Sequence, residues 1–361
     1  MIEGRKLKEL FEEAKADSIL LRNFPSFSDQ NFYYFTGLYR ESFANNFLVL
    51  SKNKKPLILT TKLEYGSIPK TKAYAAKIYD NEKQLNELLQ KNLKAKRIGL
   101  NFNIYPVNSF KKLKKILKGK KFVDVSEELG KIRETKTGEE IKKIREAIKI
   151  TREGIEKIKE KIMAGAKESD LVNELEYYFK KSGAEGTAFP SIIASGRNSA
   201  VPHYNTSSEK IKRNELILID AGARFQGYCA DITRNFVLGK ASQKQKEVYE
   251  AVFRAQKNAT EKIKNGVKAK ELFNAGNAII KKELNEELMH SLGHGLGIEV
   301  HDFPGKINDK AEWKLKQGMV LAIEPGFYDK RFGGIRIEDD LLVTKNSFTA
   351  LSKSPKELIE L

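Results

Sequence analysis

The segment Glu215-Leu216-Ile217-Leu218-Ile219-Asp220 runs through four apolar residues and stops on a carboxylate. A strand of that composition is buried, and a lone buried carboxylate is costly unless it is paired or bound to a cation. Asp231 follows after a segment containing Phe225-Gln226-Gly227. Folding the chain back at those three residues sets Asp220 opposite Asp231, with Cβ atoms about 5 Å apart. Two ionised carboxylates that close need a cation between them. Thr233 shares a strand face with Asp231 and is placed to orient it.

Two further segments repeat the pattern. Val320-Leu321-Ala322-Ile323-Glu324 is apolar up to its carboxylate and is followed by Pro325-Gly326, a turn signal. Gly333-Gly334-Ile335-Arg336-Ile337-Glu338 reads as a strand in which Arg336 and Glu338 point the same way. All four histidines, His203, His290, His294 and His301, lie beyond residue 200, and three of them fall between residues 290 and 301. A helix with His290 and His294 on one face is excluded by Gly293, Gly295 and Gly297, and no Glu follows His290 as a zincin motif requires. A glycine-rich extended segment that lets backbone approach a ligand fits better. Any one of these residues alone would pass as a strand-end charge or a structural histidine.

Taken together, four carboxylates and an imidazole suit two divalent cations of intermediate hardness. Mn2+, Co2+, Fe2+ and Zn2+ are all compatible, and the missing thiolate argues against a structural zinc site. Two such ions about 3.5–4 Å apart share a water and lower its pKa to near neutrality, giving a nucleophile for an amide or ester carbonyl. Cys229, the only cysteine, reads as a small buried hydrophobe rather than a soft ligand.

The rest of the chain frames this cluster. The first 130 residues contain neither histidine nor cysteine and alternate helical with strand-like patterns. Leu7, Leu10, Phe11 and Ala14 make a helical stripe, and helices are expected at 82–92 and 107–117. Strands are expected at 18–21, 47–50, 57–59, 73–78 and 97–100, which makes a modest α/β domain. Thr137 and Glu140 form a capping box that opens a long helix, and a second helix over 168–181 ends at Gly183. Beyond it come strands, antiparallel hairpins and two more helices, over 243–264 and 269–284. We therefore expect an α+β protein with domains at 1–130 and 131–361.

Residues 1–136 hold 28 Lys and Arg against 15 Asp and Glu, so most of the net charge of +18 lies in the first third. Its densest run, Lys111 to Lys121, carries no interleaved aromatic or glycine-rich recognition motif. It reads as the solvated face of a helix whose core side is Leu113, Ile116 and Leu117, and nucleic acid is not the expected partner. No apolar run approaches the length of a membrane span, the N-terminus lacks the apolar core of a signal peptide, and a single cysteine fits a reducing compartment. A cytoplasmic protein is expected.

The order Asp220, Asp231, His294, Glu324, Glu338 and its spacing resemble the pita-bread metallopeptidases, which include methionine aminopeptidase, Xaa-Pro aminopeptidase and Xaa-Pro dipeptidase (prolidase). The likeness spans residues 137–361 and takes in Phe189-Pro190-Ser191-Ile192-Ile193-Ala194-Ser195-Gly196, Pro202-His203-Tyr204 and Asp231-Ile232-Thr233-Arg234. A looser match to the N-terminal domain of the Xaa-Pro branch points to that branch. The resemblance implies a pita-bread (creatinase/aminopeptidase-like) fold behind a smaller α/β domain, and two metal ions per subunit. Asp220 would chelate one metal, His294 and Glu324 the other, and Asp231 and Glu338 would bridge. Glu324 would also accept the nucleophile's proton, with His203 and His301 binding substrate and stabilising the tetrahedral intermediate. His290 would line the pocket beside proline, and Arg336 would hold Asp220 or a neighbouring carboxylate. A free substrate amino group would ligate a metal and fix cleavage at the first bond.

The activity implied is hydrolysis of the Xaa-Pro bond in dipeptides or short peptides, by a homodimer. The compact chain and single N-terminal domain lean towards the dipeptidase. The competing reading is a non-catalytic binding protein or chaperone on the same fold. Complete ligands distinguish the two, and all five are present here with His203 and His301.

Overall fold

The computed structural model describes residues 4–39, 43–353, 355 and 357–361. The chain divides into two compact units, Met1–Ile132 and Arg133–Leu361, against an expected boundary at residue 130.

The first unit is built on a six-stranded mixed sheet. Its order is Ala75–Ile78, Leu57–Thr60, Phe47–Ser51, Ser18–Arg22, Arg97–Leu100 and Lys121–Asp124. Ser18–Arg22 pairs antiparallel with Phe47–Ser51 and parallel with Arg97–Leu100, so it is covered on both edges, and its apolar residues are buried. The helices Glu82–Asn92 and Val107–Ile116 close one face, packing Leu89 and Leu113 against Leu20, Val49 and Ile98. Leu113 and Leu117 are buried and the lysines around them face water, as an amphipathic helix requires.

Some helices of this unit are not visible as periodicity, among them the single turn Lys62–Tyr65. Gln30–Thr36 is too short, but its ends are marked: Asp29 accepts from Asn31 N (2.9 Å), and Gly37 closes it in the left-handed conformation (φ 73°). Ser126–Glu134 also goes unpredicted.

In the second unit, Gly138–Lys159 starts at the expected capping box of Thr137 and Glu140. Glu168–Lys181, Gln243–Thr260 and Ala269–Leu284 follow, Gln243–Thr260 being opened by a second capping box, Ser242 with Gln245. Two larger sheets carry or flank the five ligand candidates. One orders Ile359–Glu360, Ile232–Val237, Leu216–Ala221 and Ile192–Ser195; the other orders Asp302–Ile307, Gly293–Gly295, Val320–Ile323, Asp339–Val343 and Phe348–Ala350. Nearly all their pairings are antiparallel, and the exception is the short parallel pair of Ile232–Val237 with Ile359–Glu360.

The hairpin that carries the two aspartates has a different register from the one expected. Asp220 pairs with Thr233, not with Asp231. The cause is the turn. Gln226 (φ 48°) and Gly227 (φ 81°) are both left-handed, so the loop is two residues long, flanked by the pairs Phe225–Tyr228 and Arg224–Cys229. The register moves by two positions, and because side chains alternate with period two, Asp220 and Asp231 stay on one face as diagonal neighbours.

Candidate active site

Each carboxylate sits where a buried strand ends or breaks. Asp220 is the fifth residue of Leu216–Ala221, Asp231 immediately precedes Ile232–Val237, and Glu324 immediately follows Val320–Ile323. Glu338 lies in the short gap between Gly333–Arg336 and Asp339–Val343, where its N–H reaches Thr233 O (3.4 Å) and ties the two larger sheets together. His294 is the middle of Gly293–Gly295. Glycine is required beside it, because a Cβ on Gly293 would stand 2.0 Å from Ala322 O and one on Gly295 would stand 2.5 Å from Phe303 O.

All nine residues singled out in the sequence line one cavity of about 400 Å³: Asp220, Asp231, His294, Glu324, Glu338, His203, His290, His301 and Arg336. Among the described residues, Asp231, His294 and Glu338 bring ligand atoms within 4.8 Å of one another. Glu324 stands just outside that trio, with Oε1 3.6 Å from His294 Nε2, and Asp231 Oδ2 is 3.5 Å from the same nitrogen. Asp220 is turned towards Arg336, whose Nη2 donates to Oδ2 (2.5 Å). His301 lies against His294, ring centroids 4.2 Å apart.

The electrostatics of this cluster call for a cation. His294 Nδ1 lies 3.2 Å from Gly295 O, and since a carbonyl only accepts, Nδ1 carries the proton. Nε2 therefore turns a bare lone pair on the Asp231 and Glu324 carboxylates. Burial, with His301 adding to it, pushes His294 down to about 3 and keeps it neutral. Burial likewise pushes Glu324 up to about 8. Asp231 and Glu338 are also pushed well above the usual carboxylate range, by burial first and then by the neighbouring acids. Asp220 Oδ1 and Glu338 Oε1 are buried without a hydrogen-bond partner. A bare imidazole nitrogen among carboxylates whose charge burial opposes, with orphaned oxygens among them, makes a donor set that fits divalent metal ions.

Comparison with known proteins gives the same result. Residues 142–345 match the model of "Metallopeptidase family M24", and residues 5–135 match "Creatinase/Prolidase N-terminal domain". The Xaa-Pro dipeptidase of Pyrococcus horikoshii is 36% identical over 356 residues, covering 98% of both chains. The chain belongs to metallopeptidase family M24. Among solved structures, this family member resembles an X-Pro aminopeptidase from Thermotoga maritima (TM-score 0.90, 30% identity, 98% of this chain and 99% of that one). It is equally close to an Xaa-Pro dipeptidase from Bacillus anthracis (TM-score 0.90, 32% identity, 99% of each chain). The fold is a creatinase-type N-terminal domain followed by an M24 pita-bread domain, and the family implies divalent metal ions.

Two features of this M24 site differ from, or add to, the sequence reading. Thr233 does not orient Asp231. Its Oγ1 donates to Glu338 Oε2 (2.7 Å) and accepts from Arg336 Nε (3.1 Å), because the shifted register sets it opposite Asp220. Asp231 is instead held by its N–H, which donates to Asp340 Oδ2 (3.1 Å). The residue missed altogether is Tyr328. Its buried hydroxyl accepts from Arg336 Nη1 (2.8 Å) and donates to His290 Nε2 (2.9 Å), while His290 Nδ1 donates to Ser291 O (2.7 Å). Burial holds His290 neutral, down to about 4, and pushes the Tyr328 hydroxyl up to about 12. The glycines around it make room for the ring: a Cβ on Gly326 would come 2.5 Å from its hydroxyl, and Gly334 is its cross-strand partner.

Proposed function

We propose that this protein hydrolyses the Xaa-Pro bond of dipeptides, with two divalent metal ions held by Asp220, Asp231, His294, Glu324 and Glu338. The observation that carries the reading is the bare Nε2 of His294 facing the Asp231 and Glu324 carboxylates in one cavity of an M24 chain. Full-length relatives named Xaa-Pro dipeptidase support the substrate class. The cavity lies at the small end for ligand sites, which favours a short peptide. Lys306 in its lining supports a dipeptide over a longer peptide, since its ammonium would meet the free carboxylate that a dipeptide presents there.

Cations bound at this site supply Lewis acidity at the carbonyl and a water activated near neutral pH. The residues of the chain do the rest. Glu324 takes the proton of the attacking water. His203 and His301 bind the substrate carbonyl and stabilise the charge that develops on its oxygen. His290, held neutral by burial and oriented by Tyr328 and Ser291, lines the wall against which proline rests. Arg336 holds Asp220 in place. Oxygen-rich ligands with one imidazole and no thiolate favour Mn2+ or Co2+ over Zn2+ and Fe2+. The single cysteine supports a cytoplasmic location, and a homodimer completes the reading.

The test is proline release from an Xaa-Pro dipeptide and from an Xaa-Pro-Yaa tripeptide, after chelation and after adding back each metal. Mn2+ or Co2+ should restore activity, with the dipeptide preferred, and Glu338→Ala should abolish it. A metal-loaded sample inactive on both peptides would overturn the reading.

A further inference from the structure

Several carboxylates are buried outside the ligand set, and Glu168 is one whose side chain grips the segment that carries His203. It opens the helix Glu168–Lys181 and is 0% exposed. Oε1 accepts from Ser195 N (2.6 Å), Ser195 Oγ (2.8 Å) and Asn198 Nδ2 (3.1 Å). Oε2 accepts from Asn198 Nδ2 (3.2 Å) and Tyr204 Oη (3.0 Å). A helix N-terminus accounts for an acidic residue there, but not for its complete burial or for this use of both oxygens. Every one of these donors belongs to residues 195–204, the stretch that delivers His203.

His203 lies in an irregular segment whose residues alternate between outside and inside. Val201, His203 and Asn205 are exposed; Pro202, Tyr204 and Thr206 are half-buried. The direction of the imidazole is therefore set by how its inward neighbours are anchored. Tyr204 packs against Ile192, Ala194 and Leu218 and ends on Glu168. Thr206 is fastened to the backbone of Ile193 by Oγ1, which accepts from its N (2.9 Å) and donates to its O (3.2 Å). The backbone around Glu168 grips the same segment farther on, through Glu168 N to Glu209 O (3.0 Å) and Ser169 N to Ser207 O (2.9 Å). Glu168 itself neither lines the cavity nor touches a ligand candidate.

We infer that Glu168 is the positioning residue for His203, holding Tyr204 and the 195–198 turn from beneath so that the imidazole faces the substrate carbonyl. The inference rests on the peptidase reading only for what His203 does; the hold itself is a property of the fold.

Two measurements test it. In the first, Glu168→Ala and Tyr204→Phe each lower kcat on an Xaa-Pro dipeptide by about 10–100-fold, with the metal content of the purified protein unchanged. In a His203→Ala background the same changes cost less than about two-fold, because the residue they act through is gone. Losses that simply add would overturn the inference. The second measurement needs no activity. In metal-free protein labelled at its four histidines, the His203 ring signal, assigned by its loss in His203→Ala, should shift or broaden in both variants while the His294 signal holds. An unmoved His203 signal overturns the inference even in a protein that cleaves no Xaa-Pro peptide, an outcome that would separately sink the function. If Glu168→Ala does not fold, Glu168→Gln and Tyr204→Phe carry both measurements.

Discussion

Arg336 fans its guanidinium over one wall of the site. Nη2 donates to Asp220, Nη1 to Tyr328 Oη and, at 3.4 Å, to Pro202 O, and Nε to Thr233 Oγ1. Through Thr233 it fixes Glu338, and through Tyr328 it fixes His290. A lysine has the charge but not the planar fork, so it could keep the Asp220 contact only by giving up the others. Arg336→Lys should weaken Mn2+ binding, titrated calorimetrically into chelated protein, by about 10–100-fold. Unchanged affinity would mean that the five candidates orient themselves. Sequence alone pointed at Arg336 because it shares a strand face with Glu338. It could not point at Tyr328, which reaches His290 only after the strands Gly326–Asp329 and Gly333–Arg336 have paired. Cys229 was easier to read. It is fully buried with its thiol pushed up to about 12, so it behaves as a small apolar residue.

The segments that carry the site depend on glycine for room rather than for flexibility. Gly293 stands beside His294, and a Cβ there would lie 2.0 Å from Ala322 O, a backbone atom that cannot swing aside. Gly293→Ala should cost about 3 kcal/mol, the upper end for overpacking, read from the urea midpoint. Gly138 is a useful contrast, opening its helix with nothing within 4 Å of its missing Cβ. Gly138→Ala should stabilise by about 0.4–1 kcal/mol, and effects of the same sign in both variants would refute the crowding argument. At this scale much was legible, since caps and periodicity are local. Ala269–Leu284 and Glu82–Asn92 fall where their patterns begin and end, and the glycine-rich run around His294 is extended rather than helical. What stayed hidden was register. Whether the hairpin closes on Gln226 and Gly227 alone or on a longer loop depends on Gln226 accepting a left-handed backbone, and the residue type does not announce that. The shift of two positions left both aspartates on one face, where a shift of one would have sent them to opposite faces.

For the whole molecule, the same cluster is a source of instability that a bound metal would remove. Burial holds Glu324 up to about 8 against its ordinary 4.5, and Asp231 and Glu338 are raised in the same direction. Groups raised on folding contribute stability that is complete below the unfolded value and is lost as pH climbs through the folded one. The histidines run the other way. His294, down to about 3, and His290, down to about 4, lose their contribution as pH falls below 6.5 and add no slope above it. Between pH 6.5 and about 8 only the carboxylate trend remains. A single such group titrating there is worth up to about 2 kcal/mol, or about 3 °C of Tm for a chain of 361 residues. Chelated protein should therefore melt several degrees lower at pH 8 than at pH 6.5, by calorimetry. With saturating Mn2+ the carboxylates are ionised at both pH values and this difference should largely vanish. An equal fall with and without Mn2+ would show that the slope arises elsewhere. A flat Tm in chelator would show that the acids share their charge with the fold instead of waiting for a cation.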